Sequence, residues 1–371
     1  MIDYLNTHAE QIVLIVVIFL AIFSIIVFVG AIYSRWMLNL KDKKEREIRE
    51  RLSGLVIQYV SGDLSFEDLK SELSTETDYS ILMQISNQLE KNLEGEEEIR
   101  LKRLLNLPPI RNFFIGRFET KDPLERAKAC LYFARQNKIK KSILPKIMSY
   151  SSSKYPMLAY ASCMAIIVHG STRQQREAIH NLLINEGVSD QALNDIFKEF
   201  QVQSSEESEV ESHLLMRFIA DKAYSDRRTA LLIRTLGELN FYQSAAFLLS
   251  EFESLSEDHY SPVITTALID VLAQFGMSEI LDDLHTIYTS SEHREVREST
   301  AKALGLFTDP VSKPILKWLM LDRDFYVRFY AAKSLSNYPD VQMNELNLPG
   351  MESDEYSELL GEIETSKELE Y

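Results

Sequence analysis

Histidine and cysteine are the residues best suited to hold a metal or carry a nucleophile, and their spacing here supports neither. The seven histidines are scattered; His169 with His180, and His285 with His293, stand at separations no common metal motif uses. Cys130 and Cys163 are too far apart in the chain to form a zinc-ligand pair. No phosphate-binding GxxxxGK[ST] or GxGxxG, no nucleophile-elbow GxSxG and no HExxH occurs. The 12 glycines fall mostly where helices end, so loops that cradle phosphates are not expected. Adjacent carboxylates such as Asp282 with Asp283, or Glu206 with Glu207, are what an acidic helical surface displays and need no acid–base role. A noncatalytic protein without metal or cofactor is therefore expected. What remains is recognition chemistry. The stretch DFYVRFYAAK from Asp324 carries two aromatic pairs at i, i+4, Phe325 with Phe329 and Tyr326 with Tyr330. One pair is expected to face the core, and the other to be exposed, covered by the C-terminal tail or contacted by a partner. Arg297 and Arg328, each followed five residues later by a lysine, Lys302 and Lys333, make a candidate basic strip. Aromatic residues and arginine dominate the energetics of protein interfaces, so these eight residues are the candidate partner-binding set.

The elements that position them repeat. EVRESTAKALGLFTDP from Glu295 superimposes on YVRFYAAKSLSNYPD from Tyr326, pairing Val296 with Val327, Arg297 with Arg328, Ala301 with Ala332 and Leu304 with Leu335 at one offset of 31. Weaker copies precede it. Pro123, Leu124 and Cys130 match Pro156, Met157 and Cys163 at an offset of 33; Leu236-Gly237 echoes Leu304-Gly305, and Pro262 to Leu272 supplies the copy between. Paired helical patterns at this period predict an α-solenoid of about six repeats.

The pattern from Asp324 to Leu335, Asp-x-x-Val-Arg-x-x-Ala-Ala-x-x-Leu, resembles the second helix of a HEAT repeat, with Ile315 to Leu321 as the first. The resemblance is strong over 278–340, moderate over 226–275 and 122–170, and poor over 187–221. It implies interior alanines at close helix crossings, second helices lining a concave partner-binding surface, and inter-repeat contacts between aspartate and arginine, which is the competing role for Arg297 and Arg328. Some HEAT-like proteins are enzymes, alkylpurine DNA glycosylases and bilin lyases among them. A glycosylase needs a basic groove for DNA; a net charge of −16 argues against one and against nucleic acid as a partner.

Ile12 to Tyr33 contains no charge and is interrupted only by Ser24, Gly30 and the closing Tyr33. As a helix it spans roughly 33 Å, against about 30 Å for a bilayer's hydrocarbon core. Its insertion is favourable by on the order of 5 to 10 kcal/mol. The leader Met1 to Gln11 lacks the basic residues of a signal peptide. Arg35, Lys41, Lys43, Lys44 and Arg46 follow it, which places the N-terminus outside and the bulk in the cytoplasm. Buried, reduced cysteines are expected there. Gly30 and Ser34 form a weak small-residue packing signal.

The helix is expected to continue beyond Arg35, with i, i+4 pairs Glu45–Arg49 and Glu47–Arg51 and an apolar face of Ile48, Leu52, Leu55 and Tyr59. That face packs on the next helices or forms a short coiled coil that makes a homodimer. Ser61-Gly62-Asp63 breaks the helix, Ser65 with Asp68 resembles a capping box, helices over 79–93 and 96–105 follow, and Pro108 and Pro109 close the region. QSSEESEVES, 203–212, reads as a flexible loop with a possible docking or phosphorylation role. The last twenty residues carry eight acids against the single Lys367, with Leu359, Leu360 and Ile363 able to form an amphipathic turn.

The expectation is an all-α chain: an extracytoplasmic N-terminus 1–11, a transmembrane helix 12–33, a helical neck 34–107, a HEAT-type α-solenoid 122–340 and an acidic tail 341–371. The expected function is a membrane-anchored, noncatalytic scaffold at the cytoplasmic face, in a bacterial inner membrane, that binds a protein partner. The alternatives are an accessory subunit of a membrane complex, such as an envelope polysaccharide-synthesis glycosyltransferase, and a lyase-type enzyme of the HEAT-like class.

Overall fold

A computed structural model describes residues 9–73, 75–89, 93–136, 138–203, 208–255, 261–286, 288–341, 361–362 and 365. The fold is all-α, with no strand among the described residues. It packs as two units, Met1–Tyr132 and Phe133–Tyr371. Residues 1–8 and nearly all of the acidic tail lie outside the described residues.

The first unit begins with one continuous helix, α1 (Ala9–Ser61), whose apolar part from Val17 has a mean hydropathy of 2.6 and is not buried against the rest of the protein. By length and composition it is able to cross a membrane. Tyr33 and Trp36 lie 6.2 Å apart near the end of the apolar run. Farther along, Leu52, Val56, Tyr59 and Val60 are buried. They pack against α2 (Phe66–Glu72), α3 (Glu76–Leu89) and α4 (Glu96–Leu105). The seam that offered a coiled coil is thus occupied by the chain's own helices.

Local chemistry sets the turns. Gly62, at φ +97°, takes a conformation that a side chain would strain, while Asp63 and Leu64 donate to the Gln58 carbonyl at 2.8 and 3.0 Å, closing α1. The Ser65 hydroxyl accepts from the Asp68 amide at 3.2 Å and starts α2, as its spacing predicts. Asp78, fully buried, accepts from the Thr75 amide at 2.8 Å and pairs with Arg51 at 3.0 Å. Arg51 also reaches Glu72 at 3.1 Å, so it ties α1 to the next two helices instead of pairing with Glu47. α3 consequently starts at the Thr75–Asp78 cap, three residues before the expected Tyr79. Pro108 and Pro109 open a further helix, α5 (Pro108–Arg117), because the first helical turn needs no amide donors. On α6 (Pro123–Ala134), Tyr132 stacks on Phe114 at 4.2 Å and donates to the Leu105 carbonyl at 2.7 Å.

The second unit runs through α7 (Leu144–Met148), α8 (Pro156–His169), α9 (Thr172–Ile184), α10 (Asp190–Gln203), α11 (Ser208–Ala220) and α12 (Asp226–Glu238). It continues with α13 (Ala245–Glu253), α14 (Pro262–Gln274), α15 (Leu281–Thr286), α16 (Arg294–Phe307), α17 (Ser312–Leu319) and α18 (Phe325–Leu335). The helices α12, α14, α16 and α18 stack in a row, each on the next, and the alternate helices α11, α13, α15 and α17 each pack on the helix that follows. The expected loop 203–212 is mostly helix: α10 runs to Gln203 and α11 starts at Ser208. Glutamate and glutamine are adequate helix formers, and the segment holds no glycine or proline to break them; residues 204–207 lie outside the described set. Cys130 and Cys163 are buried free thiols, and burial pushes the Cys130 thiol up to about 12.

Small residues let the row close up. A Cβ on Gly305 of α16 would lie 2.8 Å from the Ser334 Cα of α18, and one on Gly237 of α12 would lie 2.8 Å from Val271 Cγ2 of α14. An exposed helical Gly→Ala exchange ordinarily stabilises by roughly 0.5–1 kcal/mol. Here Gly305→Ala must push two backbones apart, a cost of about 1–3 kcal/mol. Thermal unfolding should show a lowered midpoint for Gly305→Ala; a raised one would mean that this crossing is not close.

Candidate partner-binding face

Arg297 sits near the start of α16 and is only 5% exposed. Its Nε and Nη2 donate to the two Asp322 carboxylate oxygens at 2.7 and 2.9 Å, and Nη1 donates to the Ser291 and Glu292 carbonyls at 2.8 and 3.2 Å. The fork geometry of the guanidinium matches a carboxylate in this two-bonded way. Asp322 lies in the turn between α17 and α18, so the pair fastens one repeat to the next. Burial pushes the Asp322 carboxyl up, but the Arg297 bond, the Asp324 amide at 2.8 Å and the Arg297 charge outweigh it and hold it below the usual carboxylate range. An earlier repeat uses the same device: buried Arg228 donates to Asp190 at 2.8 Å and to the Val188 carbonyl at 2.6 Å.

The four candidate cations therefore do not make one strip. Arg297 is spent on Asp322. Arg328 donates to the Asp322 carbonyl at 2.9 Å, and its guanidinium lies 5.8 Å from the Phe325 ring centroid. Lys302 pairs with Glu298 at 2.7 Å and sits 3.8 Å above the Tyr330 ring. Lys333 is half-buried on α18.

Neither aromatic pair faces the core. Val327, Ala331, Ala332 and Leu335 fill it, and at 100° per residue the two pairs fall on its flanks. Tyr326 is 53% exposed with Arg294 5.6 Å from its ring, so the tyrosine pair lies against α16 cations. Phe325 and Phe329 stack on each other at 6.4 Å, with Phe325 36% exposed.

Between these groups runs a lane that spacing alone did not show. Asp270 on α14 accepts a 2.6 Å hydrogen bond from the Ser299 hydroxyl on α16. Burial pushes the Asp270 carboxyl up, and the Ser299 bond with the charges of Lys302 and Arg234 holds it back. The lane thus carries Arg234, Asp270, Glu298, Lys302, Tyr330 and Tyr326 across four successive second helices. A signal was present: Asp270 is the one charge inside the apolar run Ala267 to Ala273. Beside the Arg297–Asp322 pair, Trp318, Leu321 and Arg323 line a groove of about 500 Å³ in which Trp318 is 54% exposed.

For acid–base chemistry the nearest feature is a cavity of about 600 Å³ lined by Tyr224, Asp226, Glu251, Ile233 and Leu268 among others. Its Tyr224 hydroxyl lies 2.7 Å from His180 Nδ1, and burial first, then Asp221, pushes it up to about 12. That is far from a proton donor's range at neutral pH. No group of three metal-ligating side chains occurs among the described residues.

Residues 249–336, from α13 to the end of α18, match the family of HEAT repeats. No curated protein matches the chain.

Removing one partner of a buried ion pair leaves an uncompensated charge, at about 3–5 kcal/mol. Arg297→Ala should destabilise by that much in chemical unfolding, and a loss within error would remove the pair's role. Because the Asp322 carboxyl titrates lower in the folded than in the unfolded chain, its contribution is present above the ordinary carboxylate range, about 3.9, and fades as pH falls through the folded value. Asp322→Asn should flatten stability below about pH 4 relative to the parent; an unchanged acid limb would argue against it.

Proposed function

We propose that the protein is a membrane-tethered scaffold that docks a protein partner, without catalysis, on the lane formed by its second helices. The observation that carries the docking half is Asp270. A carboxylate whose ionised form is disfavoured by burial sits on an otherwise well-packed helix, with Arg234, Lys302 and the tyrosines beside it. Charge and aromatic area side by side on one face suit recognition of a partner surface that carries both charge and apolar area. The tethering half is supported by α1, whose apolar part no other element covers among the described residues. Arg35, Lys43, Lys44 and Arg46 follow the span and set the bulk on the cytoplasmic side, and a bacterial inner membrane suits the compact repeats. Confinement to one surface raises the effective concentration of scaffold and partner without any added contact.

The test compares the full-length chain with one starting at Lys41. After alkaline washing of membranes the full-length chain should stay in the pellet at its intact mass, while the shorter form is released; a shortened mass for the full-length chain would identify a cleaved leader instead. Both forms should capture the same partner from detergent extract, and Asp270→Ala with Tyr330→Ala should lower capture about tenfold, the loss of a hot spot. Capture unaffected by these substitutions would remove the lane.

A second reading places the partner contact in the span, making the chain an accessory subunit of a membrane complex such as a polysaccharide-synthesising glycosyltransferase. It is favoured by Gly30, where an added Cβ would meet nothing, leaving an open small-residue face. It predicts capture by the full-length chain alone, lost in Gly30→Leu with Ser34→Leu.

A further inference from the structure

The junction between the repeats α11–α12 and α13–α14 differs from the later one between α15–α16 and α17–α18 in what fills it. An offset of 68 relates the two, as it relates Gly237 to Gly305. In the later junction Arg297 bonds both carboxylate oxygens of Asp322, and Leu319 of α17 is fully buried. Carried back by 68, these three positions are Thr229, Ser254 and Glu251. All three line the cavity of about 600 Å³. Two short hydroxyl residues stand where a guanidinium and a carboxylate meet, so this junction holds open space instead of an ion pair.

The wall of that cavity says what would fill it. Ile219, Ile233 and Leu268 are buried and give it an apolar floor. One side is held in place by Tyr224, whose hydroxyl lies 2.7 Å from His180 Nδ1 and whose ring meets Phe218 edge-on at 5.9 Å. Glu251 is half-buried where the later repeat has its leucine, and its carboxylate has no hydrogen bond or ion pair among the described residues. Asp226 and Lys222, both exposed, are likewise unpaired there. The lining therefore carries two carboxylates against one ammonium, and Lys222 stands beyond ion-pair distance of either. A carboxylate drawn partly out of water gains most from a cation brought within hydrogen-bond reach. At the later junction the chain supplies that cation itself, as Arg297; here no side chain does. The volume is that of a small-molecule site, about 300–1,000 Å³.

We infer that this cavity binds a small organic cation, a guanidinium or ammonium group on an aliphatic body. Glu251 is its counter-charge, and Ile219, Ile233 and Leu268 receive its hydrocarbon. The ligand takes the place that Arg297 fills two repeats later, so its binding joins α12 to α13 and α14.

Ligand-observed NMR on the full-length chain in nonionic micelles, with empty micelles as the blank, tests this with n-butylguanidinium. Binding should saturate, and pentanoate, a carboxylate on a body of similar size, should not bind. Glu251→Gln should weaken n-butylguanidinium about tenfold, the loss of one charge-assisted hydrogen bond. Thr229→Arg with Ser254→Asp carries the later ion pair into the cavity and should abolish binding. Helical circular dichroism should be unchanged in both variants. Absence of saturable binding, equal binding of pentanoate, or an affinity untouched by Glu251→Gln would overturn the site. An arginine side chain of a partner protein offers the same chemistry, and N-acetylarginine amide, blocked at both ends like a residue within a chain, separates the two sources. Tighter binding of it than of n-butylguanidinium would overturn the free small molecule and give the cavity to a partner's arginine.

Discussion

The solenoid depends on how closely the second helices approach one another. At Gly305 and Gly237 the neighbouring helix stands where a methyl group would have to be, and buried Ala267, Ala301, Ala303, Ala331 and Ala332 serve the same end on α14, α16 and α18. Close approach leaves little room for apolar bulk between the helices. Cohesion is therefore shared with directional bonds, Arg297 on Asp322, Arg228 on Asp190 and Ser299 on Asp270, each joining one repeat to another. Such an arrangement sets register as well as stability, because a guanidinium fork fits its carboxylate in one geometry.

Much of this was legible in the chain. The 31-residue offset located the repeats and the family they resemble, because a stacked unit must present the same small and apolar positions to each neighbour. The caps at Ser65 and the break at Gly62 followed from local turn chemistry. What was not legible came from competition between local and distant partners. Arg51 was assigned to Glu47 by helical spacing, yet Asp78 is buried and needs a cation more than an exposed glutamate does. Pro108 and Pro109 were read as a stop, although the first helical turn uses no amide donors, so proline opens a helix as readily as it follows one. The acidic run at 203–212 looked like a loop because composition reports solvation, and a solvated helix has the same composition.

The candidate site shows the same division. Spacing picked out eight residues around α16 and α18, and the structure sorts them by burial: Arg297 into the frame, the tyrosine pair and Lys302 onto the lane, the phenylalanine pair onto the end of the row. Asp270, Ser299 and Arg234 come from three different helices, so no short motif contains them. Only a charge embedded in an apolar run hinted at the lane, and its partners become visible once the helices are stacked.

The continuity of α1 has a mechanical consequence. From Tyr33, where the apolar run ends, to Leu52, where full burial begins, the helix crosses nineteen residues whose described side chains are mostly exposed. With α1 read as a span, that stretch is a strut of roughly 28 Å between the hydrocarbon core and the first helical bundle. A flexible linker would let the bundle sample every height above the bilayer. A strut fixes one stand-off and couples the tilt of the span to the tilt of everything rigidly attached to it. A membrane partner that protrudes to that height is met side-on as both diffuse in the plane, while one lying flush with the headgroups passes beneath.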